Sequence, residues 1–144
     1  MALYDLVLEY LQNKSYCPKE EDYGIVFKVE DLNFNYIREP GDDQNFLLCL
    51  FAATVTDVNN DIELAVLKAM DETNASVKGV KLYYNVGGIE GEYRHVWLAF
   101  DILLDKTPDI GNIIDRAIFL LLGAREYFYN LLFARQLINL EHHD

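Results

Sequence analysis

The hydrophobic residues of this chain change period several times, and the order of those changes limits the fold more than any motif does. From about Ala2 to Lys14, the residues Leu3, Leu6, Val7, Tyr10 and Leu11 share one helical face. Pro18 cannot continue a helical ladder, and the charged Lys19-Glu20-Glu21-Asp22 reads as a connector. The period then becomes two. Ile25, Phe27 and Val29 line one strand, and Leu32, Phe34 and Tyr36 the next, across a short turn near Glu30-Asp31. After the turn signal Glu39-Pro40-Gly41-Asp42-Asp43, a third strand from Asn45 to Val55 is apolar on both faces. Such a strand is either central in a covered sheet or part of an interface.

A second helix runs to about Asn74, with Thr56 or Asp57 as its cap and Ile62, Ala65, Val66, Ala69 and Met70 as its inner stripe. Two further strands follow. Val80, Leu82, Tyr84 and Val86 share one face; Gly87 to Gly91 form a hairpin loop; the return strand buries Val96, Leu98, Phe100 and Ile102. Its other face shows Tyr93, His95, Trp97 and Asp101. The last helix is expected from about Asp109 to Asn139, with an apolar stripe running from Ile110 to Leu131 and widened by Ile118, Leu122, Tyr129 and Phe133. One sheet face needs only about a third of a helix's circumference. The surplus predicts that a second subunit or a partner covers the remainder. The order α-β-β-β-α-β-β-α predicts an α+β fold, an antiparallel sheet packed by helices, in one domain over residues 1–144.

Composition narrows the function. A hydrophobic fraction of 51% with 25% charged residues describes a globular chain. The net charge of −12 repels nucleic-acid phosphate and anionic membrane, so neither is an expected partner. Acidity confers solubility and can attract a basic partner. Cys49 lies in an apolar run and Cys17 in a loop, which predicts no disulfide framework and a reducing, cytoplasmic setting. The N-terminus lacks the basic start and cleavage site of a signal peptide.

The residues that carry chemistry are scattered. His95 has no nucleophile beside it in the sequence, and a catalytic base needs one, or a substrate pocket. His142 and His143, either the chain's own tail or an appended remnant, make no metal site by themselves. Gly87-Gly88-Ile89-Glu90-Gly91 lacks the spacing and the following Lys-Ser/Thr of a phosphate loop. No catalytic residue, cofactor or metal is therefore expected. Aromatic residues, at 13%, are the remaining signal, because they are enriched at interface hot spots.

The element order, with Val77-Lys78-Gly79-Val80-Lys81-Leu82-Tyr83-Tyr84 after the second helix, resembles the YbjN-like family, which shares its fold with type III secretion chaperones. Ile25 to Asp31 looks like that family's opening meander, and Val96 to Leu103 running into the long helix looks like its ending. The resemblance covers nearly the whole chain. It implies a three-layer α+β fold with helices packed on an antiparallel sheet. The secretion chaperones are small, acidic, cytoplasmic homodimers that hold an extended effector segment, and YbjN-like proteins are associated with regulation; neither implies a catalytic residue here.

These readings predict a non-enzymatic, chaperone- or adaptor-like domain that binds a protein or peptide and forms a homodimer. Candidate contact residues are Tyr93, His95, Trp97, Tyr127, Phe128, Tyr129 and Phe133. Pairing at a sheet edge is one possible mode. The alternative is a small-molecule sensor or enzyme with a pocket between sheet and helices, near His95, Trp97 and Asp101.

Overall fold

A computed structural model of the chain describes residues 2–134. Helix α1 spans Leu3–Asn13 and buries Leu3, Val7 and Leu11. Its first turn is tied from a distance: the Leu3 backbone N–H donates to Asp43 Oδ1 at 2.8 Å. The charged connector of the sequence reading contains a further strand, β1 (Lys19–Glu21), paired with β2 (Gly24–Val29). Three charged residues carry no apolar alternation, so only the pairing with β2 defines them as a strand. Gly24 sits there at φ 155°, and a Cβ on it would lie 1.8 Å from the Tyr36 carbonyl oxygen, so only glycine fits.

Strand β2 turns into β3 (Leu32–Ile37) through Glu30 and Asp31 alone, both at positive φ (52° and 63°). Positive φ at both central residues is the signature of the type I′ turn, whose twist suits a two-residue hairpin. Strand β4 occupies Asn45–Val55, the bounds its pattern predicts. Helix α2 spans Asn60–Ser76. Its cap is Asn59 rather than Thr56 or Asp57: Asn59 Oδ1 accepts the Ile62 N–H at 2.9 Å, while Asp57 adopts φ 55° in the preceding loop. Strands β5 (Val80–Gly87) and β6 (Tyr93–Leu103) form the second hairpin, and α3 runs over Ile110–Ala134. The expected continuation of that helix to Asn139 lies outside the described residues.

The six strands form one antiparallel sheet in the order β1-β2-β3-β4-β6-β5. All three helices lie on one side of it. Helix α3 packs on β4, β5 and β6 and is flanked by α1 and α2. The core between the layers contains Phe27, Phe34, Phe46, Leu98, Leu121 and Phe128, each 0–1% exposed. The fold is thus α+β as expected, but among the described residues it has two layers rather than three.

That arrangement explains the broad apolar stripe of α3. The helix has a sheet beneath it and a helix on each side, so more than a third of its circumference is covered. Tyr10 of α1 donates to Asp115 Oδ1 at 2.7 Å, and Tyr127 donates to Ser76 Oγ of α2 at 3.1 Å. Most of the surplus therefore belongs to intramolecular contacts, which corrects the expectation that a second subunit or a partner covers the remainder. Phe119 alone remains widely exposed near the middle of α3, at 76%. By length and composition α3 is apolar enough to cross a membrane. Its place is instead the centre of the helix layer, where Ile114, Ala117, Leu121, Ala124 and Phe128 close the core.

Candidate protein-interaction surface

Among the described residues every helix lies on one side, and the other side of the sheet is bare. Strand alternation sends a second set of side chains there, and the register brings them together. Phe51 of β4 stands opposite Trp97 of β6, and Trp97 opposite Tyr83 of β5. The next row runs Val26, Asn35, Cys49, Ala99, Lys81 across β2, β3, β4, β6 and β5. Beyond it, Ile37 pairs with Leu47, and Leu47 with Asp101. The middle row carries small residues, Cys49 and Ala99, between rows of large ones. The result is a hollow of about 540 Å³ lined by Tyr23, Ile37, Leu47, Cys49, Tyr83 and Trp97, with Asn35 and Asn85 as its polar margin.

The aromatic rings of this face are ordered by contact. Phe51 meets Trp97 edge-on at 5.1 Å between centroids, and His95 lies 6.2 Å from Phe51 and 6.3 Å from Tyr93. Tyr23 is held by its hydroxyl, which donates to Asn35 Oδ1 at 2.8 Å. Burial pushes the Cys49 thiol up, against a smaller downward pull from the Tyr83 hydroxyl, and burial raises Tyr83 itself to about 12. Both groups are neutral at physiological pH, so the floor of the hollow is uncharged. Charge is confined to strand positions at the margins, where Lys81 pairs with Asp101 at 3.7 Å and Lys19 with Glu21 at 3.5 Å.

The seven predicted contact residues separate into three groups. Tyr93, His95 and Trp97 stand together on the bare face, with Tyr93 37% exposed and the other two half-buried. Tyr127 and Phe133 are exposed on the helix layer, on the opposite side of the molecule. Phe128 and Tyr129 are core residues, at 0% and 8%, and the Tyr129 hydroxyl donates to the Ala52 carbonyl at the bulge in β4. They are unavailable to a partner because the side of α3 that carries them faces the sheet. The aromatic pattern of the sequence also offers Tyr83 beside Tyr93 and Trp97 as part of a binding surface, but it does not count Ile37, Leu47 or Phe51 among the contact residues. The outward set Leu47, Cys49, Phe51 is visible in the alternation of β4, but its junction with Trp97 depends on the β4–β6 pairing.

The acid–base reading of this face loses its geometry. Asp101 is six residues from His95, about 20 Å along an extended strand, and is paired with Lys81. His95 Nδ1 lies 3.1 Å from Thr54 Oγ1. Among the described residues no three His, Cys, Asp or Glu side chains gather as a metal site; His142 and His143 lie outside those residues. The space between sheet and helices, where a ligand pocket was expected as the alternative, is packed core, and the hollow is on the other side.

Edge pairing is restricted as well. Strand β1 is three residues long, and β5 is partly sealed. The Asn74 side chain of α2 accepts the Leu82 N–H at 2.7 Å and donates to the Leu82 carbonyl at 3.4 Å, as a neighbouring strand would.

Neither a family model nor a curated protein sequence matches the chain. Solved structures that share its fold include the following two. YbjN from E. coli, a suggested transcription regulator, superposes with a TM-score of 0.65 over 94% of both chains at 13% identity. An uncharacterized protein from Methanothermobacter thermautotrophicus superposes with a TM-score of 0.57 at 12% identity, over 92% of this chain and 98% of that one.

Proposed function

Starting from a YbjN-like fold, we propose that this chain is a single non-catalytic domain that binds another polypeptide through the bare face of its sheet, in an adaptor-like or regulatory role in the cytoplasm. The observation that carries this reading is the uncovered cluster Phe51–Trp97–Tyr83 with Ile37 and Leu47 around the hollow. Contiguous apolar surface of this kind is uncommon on a soluble monomer and marks interaction sites. Aromatic anchors flanking an apolar depression are the usual energetic centre of such a site. The regulatory role suggested for YbjN is compatible with this surface. A net charge of −12 directs such a role toward proteins rather than nucleic acid.

The test is site-specific photo-crosslinking in cells, with a photoreactive residue replacing Tyr83 on the sheet and, in a separate chain, Phe119 on the helix layer. Polypeptide adducts are expected from position 83 and not from 119. Adducts from 119 with none from 83 would place the binding surface on the helices and reject the proposal.

A further inference from the structure

We infer that the polypeptide held by the bare sheet face is a proline-rich segment in the polyproline II conformation, lying across the strands with basic residues at its ends; this rests on the reading of that face as the binding surface. The first argument is direction. The hollow runs from Tyr23, just ahead of β2, past Ile37, Leu47 and Cys49 to Trp97 on β6 and Tyr83 on β5. In the sheet order β2 and β5 are four strand spacings apart, about 19 Å at 4.8 Å each. A segment seated there crosses strands whose own N–H and C=O groups are engaged in the ladders. It does not add to the sheet as a strand, and only side chains are left to serve its backbone. About six residues of polyproline II, at roughly 3.1 Å each, span that length.

The second argument is hydrogen bonding. Among the described residues, the Trp97 indole N–H, the Asn35 amide N–H groups and the Asn85 side chain have no partner, whereas Asn35 Oδ1 already accepts the Tyr23 hydroxyl. The hollow therefore offers more donors than acceptors. An α-helix keeps its carbonyls in its own ladder and would bury those donors unpaired, at a cost. A polyproline II segment has no internal hydrogen bonds, so its carbonyls are free to accept. Each proline also removes an N–H for which the hollow has few acceptors. The third argument is surface chemistry. Tyr23 at one end of an uncharged floor, and Tyr83 with Trp97 at the other, form the aromatic lining on which proline-rich segments dock. The ion pairs Lys81–Asp101 and Lys19–Glu21 cancel at the margins, so the net charge of −12 is borne beyond the hollow. The ends of a bound segment meet that acidic surface, which favours lysine or arginine there.

The experiment is selection of a displayed library of random twelve-residue peptides on the full chain, with Leu47→Lys, Tyr83→Lys and Phe119→Lys in parallel. Enriched peptides are expected to carry a Pro-x-x-Pro core with lysine or arginine at the ends. Phe119→Lys is expected to retain them. Leu47→Lys and Tyr83→Lys are expected to lose them with the far-ultraviolet circular dichroism unchanged, and Tyr83→Lys, on the edge strand, carries the test if Leu47→Lys does not fold. An enriched peptide is then titrated against the fluorescence of Trp97, the chain's one tryptophan. Its emission is expected to shift on binding, and Tyr83→Ala to weaken binding at least tenfold. Proline-free peptides that both sheet variants lose overturn the inference and leave the face as a site for a different polypeptide. Peptides that both sheet variants retain overturn it and remove the face as a site altogether. A selection that enriches nothing overturns it too, and leaves the crosslinking at position 83 to decide whether the face binds polypeptide.

Discussion

Single residues hold this chain in conformations that its composition does not advertise. Glu30 and Asp31 both lie at positive φ in the tight β2–β3 turn, which disfavours glutamate and which aspartate tolerates less readily than glycine. The pair Asn-Gly suits that backbone. The double change Glu30→Asn, Asp31→Gly is therefore expected to raise stability by about 1 kcal/mol, measured as a higher midpoint of urea unfolding. A lower midpoint would show that the turn is not type I′. Gly24 represents the opposite case, since any side chain would meet the Tyr36 carbonyl. Cys49 shows how one residue carries two kinds of information. It is as buried as a core residue, yet its side chain belongs to the outward row and helps to floor the hollow.

At the scale of elements, α3 decides the architecture. Its apolar stripe is broad because three neighbours cover it, and the residues that looked available for binding include its deepest ones. Phe128→Ala is accordingly expected to destabilise the fold by about 3–5 kcal/mol, through lost burial and the cavity left behind, whereas Phe119→Ala should change stability by no more than about 0.5 kcal/mol. Thermal and urea unfolding of the two variants make the comparison. Equal effects would mean that the helix is rotated from the orientation described. Strand β4 is the corresponding element of the sheet. It is apolar on both sides because one side meets the helix layer and the other forms the bare face. Asn74 shows an element protected by its neighbour, with a helix side chain standing in for the missing strand beside Leu82.

For the whole molecule, charge and shape act together. A net charge of −12 works against the compact state through self-repulsion. Raising the salt from about 20 to about 150 mM shortens the screening length from roughly 20 Å to about 8 Å, so the thermal unfolding midpoint is expected to rise. A midpoint that falls with salt would mean that attractive ion pairs outweigh the repulsion. Much of this fold was legible in the sequence, because periodicity is local. The two hairpins, the bounds of β4 and the start of α3 after Asp109 follow from alternation and from turn and cap chemistry. The three-residue β1 was not legible, since charged residues become a strand only by pairing with β2. Of the candidate surface, the outward row Tyr93–His95–Trp97 was readable from β6 alone. Its union with Phe51 and Leu47 was not, because strand order joins residues more than forty positions apart. The sequence by itself determined which side chains are apolar and on what period they recur, for those depend only on neighbours in the chain. Tertiary structure decided which apolar surface is satisfied inside the molecule and which is left for a partner. The helix that looked over-apolar is enclosed on three sides, and among the described residues the sheet has helices on one face only.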